Sequence, residues 1–358
     1  MKQTIFITGG AGYVGEMLCE QFGKREDVER IVTIDKEPQS AYSKALPKVS
    51  YIQANMADAG WQETVAAYAP STVIHTAWQI RAMYGDEDEQ WRWNVAGSDA
   101  VFNFAFTTPS VEKLIHFSTA SSYAARPDNT MTHRFTEAEG FREDSYIYAK
   151  EKMVTEVHLE KLFKETKAKG ERTPQIFIVR PAAITGPRGR YMRIRFGLQS
   201  ALQGNLKGGF VNKLVTSLTT FVPATKGWVR QFIHEDDVSD IVTLFTFEPF
   251  SQDYQVFNIT PESEVVLAPD MAAAVGKKIL PIQPWMARIA FFFFWHATRG
   301  KVPTCPGSWR FYSYPIVMSG AKLATVYQCS YTSKDAFQYT DGRYADWVPA
   351  ENKKPKLV

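Results

Sequence analysis

A run of β-forming residues, Thr4-Ile5-Phe6-Ile7-Thr8, ends directly in Gly9, Gly12 and Gly15, and an amphipathic pattern over Tyr13–Phe22 follows. That order constrains the fold more than any other feature of the chain. Gly9 permits a tight turn off the strand, and Gly12 lets the backbone approach a pyrophosphate. Gly15 lets a helix that has Tyr13 and Val14 in its first turn pack close to a sheet, and the helix N-terminus offers N–H donors to an anion. Further apolar runs at Arg30–Asp35, Val49–Gln53, Thr72–Thr76, Lys113–Ser118 and Gln175–Arg180 alternate with helical patterns at Trp61–Tyr68, Glu87–Phe106 and Ser145–Lys167. Short strands alternating with helices predict crossover units, and so an α/β domain with a doubly wound parallel sheet of Rossmann type. The rhythm breaks after Gly186. Residues 1–186 are therefore expected to form the dinucleotide-binding domain, with elements near 229–260 returning to it. Residues 187–350 are expected to form a smaller, mostly helical substrate region, and 351–358 a frayed tail.

Composition closes off several function classes. A net charge of +3 over 358 residues gives no argument for nucleic acid or an anionic membrane as partner. The three cysteines (Cys19, Cys305, Cys329) are odd in number and far apart, which gives neither a disulfide framework nor a zinc site and fits a reducing compartment. No metal-ligand spacing occurs, so no metal is expected. Strand-like sequence from Gln3 leaves no room for a leader, and a cytoplasmic protein is expected. The run Ile289-Ala290-Phe291-Phe292-Phe293-Phe294-Trp295 is too short for the roughly 20 apolar residues of a membrane span. It reads first as a buried helix, and otherwise as a lid over an apolar substrate or a helix on a membrane surface.

Two further features carry chemistry. Asp35 ends the second strand run 20 residues after Gly15, where a carboxylate accepts hydrogen bonds from an adenosine ribose and repels a 2′-phosphate. NAD is therefore favoured, and Lys36, which offsets the repulsion, keeps NADP open. Tyr146 and Lys150 stand four apart in a helical pattern and share a face. A lysine charge near a phenol lowers its ordinary pKa of about 10, so that it can act as general base or acid. Tyr148 and Lys152 spell the same spacing, and spacing alone leaves the register open.

With these motifs the chain resembles the extended short-chain dehydrogenase/reductase family, of the NAD-dependent epimerase/dehydratase type, over nearly its whole length. Gly9-x-x-Gly12-x-x-Gly15 has that family's glycine spacing, and Val73-Ile74-His75-Thr76-Ala77 looks like its fourth strand. Phe117-Ser118-Thr119-Ala120-Ser121-Ser122-Tyr123 resembles its serine-rich segment, in which the catalytic hydroxyl lies four before the Tyr, here Thr119. Ser145-Tyr146-Ile147-Tyr148-Ala149-Lys150 aligns with the Tyr-x-x-x-Lys helix with a small residue before the lysine, which selects Tyr146 over Tyr148. Asn94 resembles the helix asparagine that organises the site. Val179-Arg180-Pro181 with Gly186-Pro187, and Arg230-Gln231-Phe232-Ile233-His234-Glu235-Asp236-Asp237, match later signatures.

The resemblance implies that Thr119 hydrogen-bonds the substrate oxygen, Tyr146 transfers its proton, and Lys150 tunes Tyr146 and contacts the nicotinamide ribose. It implies Asn55 and Met56 near the adenine, although the family more often has an acid at Asn55, and it adds Ala77 and Pro181 to the cofactor contacts. The family's sugar-nucleotide dehydratases follow the catalytic Thr with Asp-Glu. Ala120 and Ser121 stand there, which disfavours that elimination. Ala183 stands where sugar-nucleotide enzymes usually carry an Asn. Arg230, Arg188, Arg190, Arg193 and Arg195 are in turn candidates to grip a substrate diphosphate.

The expected function is hydride movement at a secondary alcohol or ketone carbon, leaning to a nucleotide-sugar epimerase. The alternative is a dehydrogenase of a bulky apolar alcohol, since Pro281–Trp285 and the Phe-rich run look more like the 3β-hydroxysteroid dehydrogenase branch. A third reading is a dinucleotide-binding sensor without catalysis. Glu87–Phe106 and Ser145–Lys167 resemble the helices of the family's four-helix interface, so a homodimer is expected.

Overall fold

A computed structural model describes residues 2–192, 221–274, 276–338 and 341–347. The first apolar run forms β1 (Gln3–Thr8), and the glycine turn leads into α1 (Tyr13–Gly23). The other runs form β2 (Val28–Asp35), β3 (Val49–Gln53), β4 (Thr72–His75), β5 (Lys113–Phe117) and β6 (Gln175–Pro181), and Tyr254–Ile259 returns as β7. The seven strands lie in the order β7-β6-β5-β4-β1-β2-β3. β1 pairs in parallel with both β2 and β4, β2 with β3, β4 with β5, and β5 with β6. This is a doubly wound Rossmann-type sheet, and its ladder reverses direction at β1, beside the glycine turn.

Ile5, Phe6 and Ile7 are all fully buried, as a strand must be when helices cover both faces of a sheet. On one face Phe6, Val73 and Leu114 meet Val101, Phe102 and Phe104 of α2 (Gly97–Thr107) and Leu159 and Phe163 of α3 (Ile147–Ala168). The expected helix over Glu87–Phe106 is not uniform. A short α-turn (Glu87–Trp91) passes into a π-helical segment, Arg92–Ala96, before α2 begins.

The chain forms two compact units. The first takes the residues up to Thr119, Tyr148–Arg180 and Ser239–Phe257, and so holds the sheet, α1, α2 and nearly all of α3. The second takes Ala120–Ile147 and the described parts of Pro181–Val238 and of the chain from Asn258 onward. Its core gathers Val222, Trp228, Phe232, Val266, Met271 and Phe337 around short two-stranded pieces, such as Phe232–His234 paired in parallel with Ala183–Thr185. The Phe-rich run belongs to α4 (Pro284–Ala297). The expectation of a buried helix is corrected here: α4 buries only Ala287 and Trp295, and most of its aromatic face is exposed.

His75 and His116 sit side by side on β4 and β5, fully enclosed, with rings stacked at 5.2 Å. His75 Nδ1 lies 2.7 Å from Thr8 Oγ1 and its Nε2 lies 2.8 Å from Ser98 Oγ, while His116 Nδ1 has no hydrogen-bond partner. Burial, reinforced by the Lys152 charge, holds both imidazoles well below their ordinary pKa. Below about pH 6.5 the unfolded chain therefore binds protons that the fold refuses, and stability falls as pH falls. Each ring contributes a slope of up to about 1.4 kcal/mol per pH unit. Urea unfolding at pH 7 and pH 5 is expected to show this loss, and a His75→Gln, His116→Gln double variant a flatter dependence.

Candidate active site

The glycine turn is shaped by close backbone approach. Gly9 has φ +81°, and its N–H donates to Ile34 O of β2 at 2.8 Å. A Cβ on Gly12 would lie 3.1 Å from Gly9 O, and one on Gly15 only 2.1 Å from the same atom. No side chain caps the N-terminus of α1, so its first N–H groups keep the orientation that suits an anion. Tyr13 and Val14 open that helix and are half-buried. Gly15→Ala is expected to cost about 1–3 kcal/mol of stability through overpacking. It should also lower dinucleotide affinity at least about tenfold (1.4 kcal/mol), since the cradle must deform; thermal melting and calorimetric titration with NAD check both.

Asp35 ends β2 beside this turn. Its Oδ2 accepts the Ala11 N–H at 3.0 Å and its Oδ1 the Glu37 N–H at 3.0 Å. Lys36 turns to Glu37 at 2.6 Å and lies over the Trp93 ring, 4.9 Å from its centroid. Asn55 Oδ1 accepts the Ala57 N–H at 3.0 Å, while Met56 packs against Gly97 at the start of α2. The Ala77 N–H donates to Thr8 Oγ1 at 3.2 Å, which fixes the chain leaving β4 next to the turn. The residues present fit a dinucleotide: a cradle that only glycine can form, an uncapped helix end and a carboxylate at the tip of the neighbouring strand.

The chemical groups gather at the carboxyl end of β5. Thr119 follows β5, and its hydroxyl shares a hydrogen bond with the Tyr148 phenol, which lowers that pKa while burial raises it more. Lys152, one helical turn further along α3, donates from Nζ to Phe117 O and sits 3.6 Å from the centre of the Trp78 ring. Burial pulls the Lys152 ammonium well below its ordinary pKa, against the carboxylates of Glu151 and Glu156. Tyr148 meets the same Trp78 ring edge to face, at 6.5 Å.

Behind this group stands a buried polar network. Asn94, in the π-helical segment, accepts the Gln79 N–H at 2.8 Å and donates to Gln79 O at 3.1 Å and Glu151 Oε2 at 2.7 Å. Gln90 donates to the same Glu151 oxygen at 3.0 Å and accepts the Met83 N–H at 2.8 Å. Burial raises the Glu151 carboxyl pKa, opposed by these two amides. Asn94 stands four residues after Gln90, so the two amides reach Glu151 from one face. Trp78, Gln90 and Glu151 escape sequence reasoning.

The expected pairing of Tyr146 with Lys150 is not the one that the structure assembles. Tyr146 precedes α3, its N–H donates to Glu143 Oε1 at 2.9 Å, and its ring packs on Phe311 at 4.9 Å. Lys150 is exposed on the outer face of the first turn of α3. The reason is where the helix begins. Glu143 Oε1 also accepts the N–H groups of Asp144 at 3.0 Å and Ser145 at 2.8 Å, so a carboxylate-bound turn occupies the residues through Tyr146.

Of the expected substrate arginines, Arg188 is fully enclosed, over the Tyr344 ring at 4.9 Å, with its N–H donating to Glu235 Oε1 at 2.9 Å. That enclosure places the Arg188 guanidinium away from solvent. The side chain of Arg190 and all of Arg193 and Arg195 lie outside the described residues. Arg230, in the second unit, is half-buried with its guanidinium 5.4 Å from the Trp228 ring and 5.5 Å from that of Tyr312. Its Nη1 donates to Val229 O at 2.9 Å. Pro181 ends β6 and is the first residue of that unit on leaving the sheet.

A model of the NAD dependent epimerase/dehydratase family matches residues 5–260 of the chain. Among curated proteins, none matches. The fold is similar to that of the Bordetella bronchiseptica enzyme WbmG, solved with NAD and UDP, with a TM-score of 0.69 at 19% identity over 97% of this chain and 94% of that one. It is similar to a dTDP-glucose 4,6-dehydratase of Bacillus anthracis, solved with NAD, with a TM-score of 0.66 at 16% identity over 96% of both chains. A UDP-glucose 4-epimerase of Thermotoga maritima, solved with UDP-glucose, gives a TM-score of 0.64 at 17% identity over 94% of this chain and 97% of that one.

Proposed function

The chain belongs to the NAD dependent epimerase/dehydratase family, and from that premise we propose that it is an epimerase of a nucleotide sugar, inverting a secondary alcohol carbon through a transient ketone. The observation that carries this is the Thr119–Tyr148 hydrogen bond with Lys152 one turn along the same helix, in the same unit as the glycine turn. Gly9, Gly12, Gly15 and the first N–H groups of α1 hold the pyrophosphate, and Asp35 takes the adenosine ribose. When bound, NAD would supply the hydride acceptor and donor for the alcohol carbon.

Thr119 orients the substrate hydroxyl, and Tyr148, as phenolate, takes its proton and later gives it back to the oxygen. Burial raises the Tyr148 phenol and lowers the Lys152 ammonium, so the phenolate would be favoured by the Thr119 hydrogen bond and by the positive charge of an oxidised nicotinamide, with Lys152 one helical turn away. Asn94 is a positioning residue, since it acts through Glu151, the neighbour of Lys152. Arg230, whose guanidinium lies near the Trp228 and Tyr312 rings of the second unit, is the candidate to bind a diphosphate. Ala120 and Ser121 carry no carboxyl, so nothing there supports the elimination that a dehydratase performs. Inversion of one alcohol carbon needs no net oxidant or reductant.

The test is turnover on a panel of UDP- and dTDP-sugars with no NAD added, read by separation of epimers and by absorbance of reduced cofactor. Epimer formation without net reduction, and NAD recovered by mass spectrometry from the denatured protein, is the expected result. Stoichiometric reduction of added NAD by an alcohol would make the chain a dehydrogenase instead. A homodimer through the outer faces of α2 and α3 belongs to the same reading, and light scattering showing a monomer would remove it.

A further inference from the structure

Helix α4 presents an apolar face that the function does not use. Ala287 and Trp295 are its buried residues, and Phe291 between them packs edge-on against Tyr312 at 4.9 Å. These recur every four residues and so make a narrow inward stripe. Outside it, Trp285 is 62%, Ile289 60%, Phe292 68% and Phe293 63% exposed, flanked by exposed Met286 and Phe294. A surface helix ordinarily carries polar side chains there, and a contiguous apolar face of this kind marks an interaction surface.

Charge says what covers it. From Met271 to Lys334 the chain has no Asp or Glu in 64 residues, and it carries eight Lys or Arg. Arg288 stands on α4 itself, Arg299 and Lys301 follow its C-terminus, and all three are exposed. A two-fold pairing of α4 with a second copy would set these cations against their own images. An anionic lipid surface neutralises them. Aromatic rings of Trp and Phe also favour the boundary between headgroups and acyl chains. Among the described residues, no helix is long and apolar enough to cross a membrane, which makes this a surface element.

We propose that α4 lies in the plane of an anionic phospholipid surface, with Trp285, Ile289, Phe292 and Phe293 in the acyl boundary and Arg288, Arg299 and Lys301 at the headgroups. The test is flotation of the full chain with phosphatidylcholine vesicles made with or without phosphatidylserine. The chain should float with the serine-lipid vesicles and not with the neutral ones, and binding should weaken as salt rises. Arg288→Gln and Lys301→Gln should each lower the partition coefficient about fivefold, and Phe292→Ser combined with Phe293→Ser at least about a hundredfold. NAD binding by the same variants, a property of the other unit, should stay unchanged and shows that they are folded. Failure to float with either vesicle, or flotation that ignores the Phe substitutions, overturns the proposal. So does a dimer in lipid-free solution that Phe292→Ser with Phe293→Ser dissociates, which would make α4 a self-association face.

Discussion

Tyr148→Phe is expected to lower turnover by about 10²–10⁴-fold, while Tyr146→Phe stays within a few-fold of the parent. The contrast rests on placement. The Tyr148 phenol is bonded to Thr119 and lies one helical turn before Lys152, whereas Tyr146 sits ahead of the helix with its ring against Phe311. Removing the Tyr148 hydroxyl takes away the group that moves the proton and leaves the ring, its contact with Trp78 and the glycine turn in place. NAD affinity should therefore be retained, which separates a chemical defect from a folding one. The pair of variants decides two questions together. Loss confined to Tyr148→Phe establishes the register. Full turnover in both variants would mean that neither phenol is the proton carrier.

Glu156→Leu should destabilise the chain by about 3–5 kcal/mol, the largest stability effect expected of a single replacement here. Glu156 of α3 and Arg180 of β6 form an ion pair with side chains only 5% and 6% exposed. Arg180 Nε lies 3.0 and 3.2 Å from the two carboxylate oxygens, and Nη2 makes a further bond to Oε1. Cutting one partner strands a charge that water cannot reach. Replacing both, as Glu156→Leu with Arg180→Met, should recover most of the loss, because the penalty belongs to the unpaired ion and not to the missing attraction. Urea unfolding of the two single variants and the double variant gives the coupling directly. The pair also fixes α3 against the sheet, so Glu156→Leu is expected to loosen the placement of Tyr148 and Lys152.

Much of the fold was legible because apolar runs bounded by turns have few alternatives. Val49–Gln53 appears at the predicted bounds, and the other five strands differ by a residue or two at their ends. The glycine turn was equally readable, since Gly9 takes a left-handed backbone and Gly15 an approach too close for a Cβ. The register of Tyr-x-x-x-Lys was not, because both tyrosines satisfy the spacing and a local resemblance chose between them. The phase of the whole helix carries the missing information. Counting back from Leu159 at about 100° per residue brings Lys152 and Tyr148 to the same face and puts Lys150 about 180° away. Leu159, Lys152 and Thr155 are indeed buried and Lys150 is exposed. The enclosure of Arg188 was not legible for another reason: arginines close in sequence look alike whether they face solvent or the interior.

The π-segment at Arg92–Ala96 has the character of a spliced joint. An α-helix fixes one phase along its length, so every residue added or removed rotates all that follows by about 100°. Here the surplus residue is absorbed within the joint, and the two sides keep separate phases. Gln90 and Asn94 address Glu151, while Val101, Phe102 and Phe104 address the sheet. A chain shortened by one residue in this stretch would close into an ordinary α-helix with both flanks in the phases they now hold, and the change would fall on the joint itself, where Asn94 stands. A change of length by one residue is thus accommodated in the middle of this helix, where ordinarily it would rotate everything that follows.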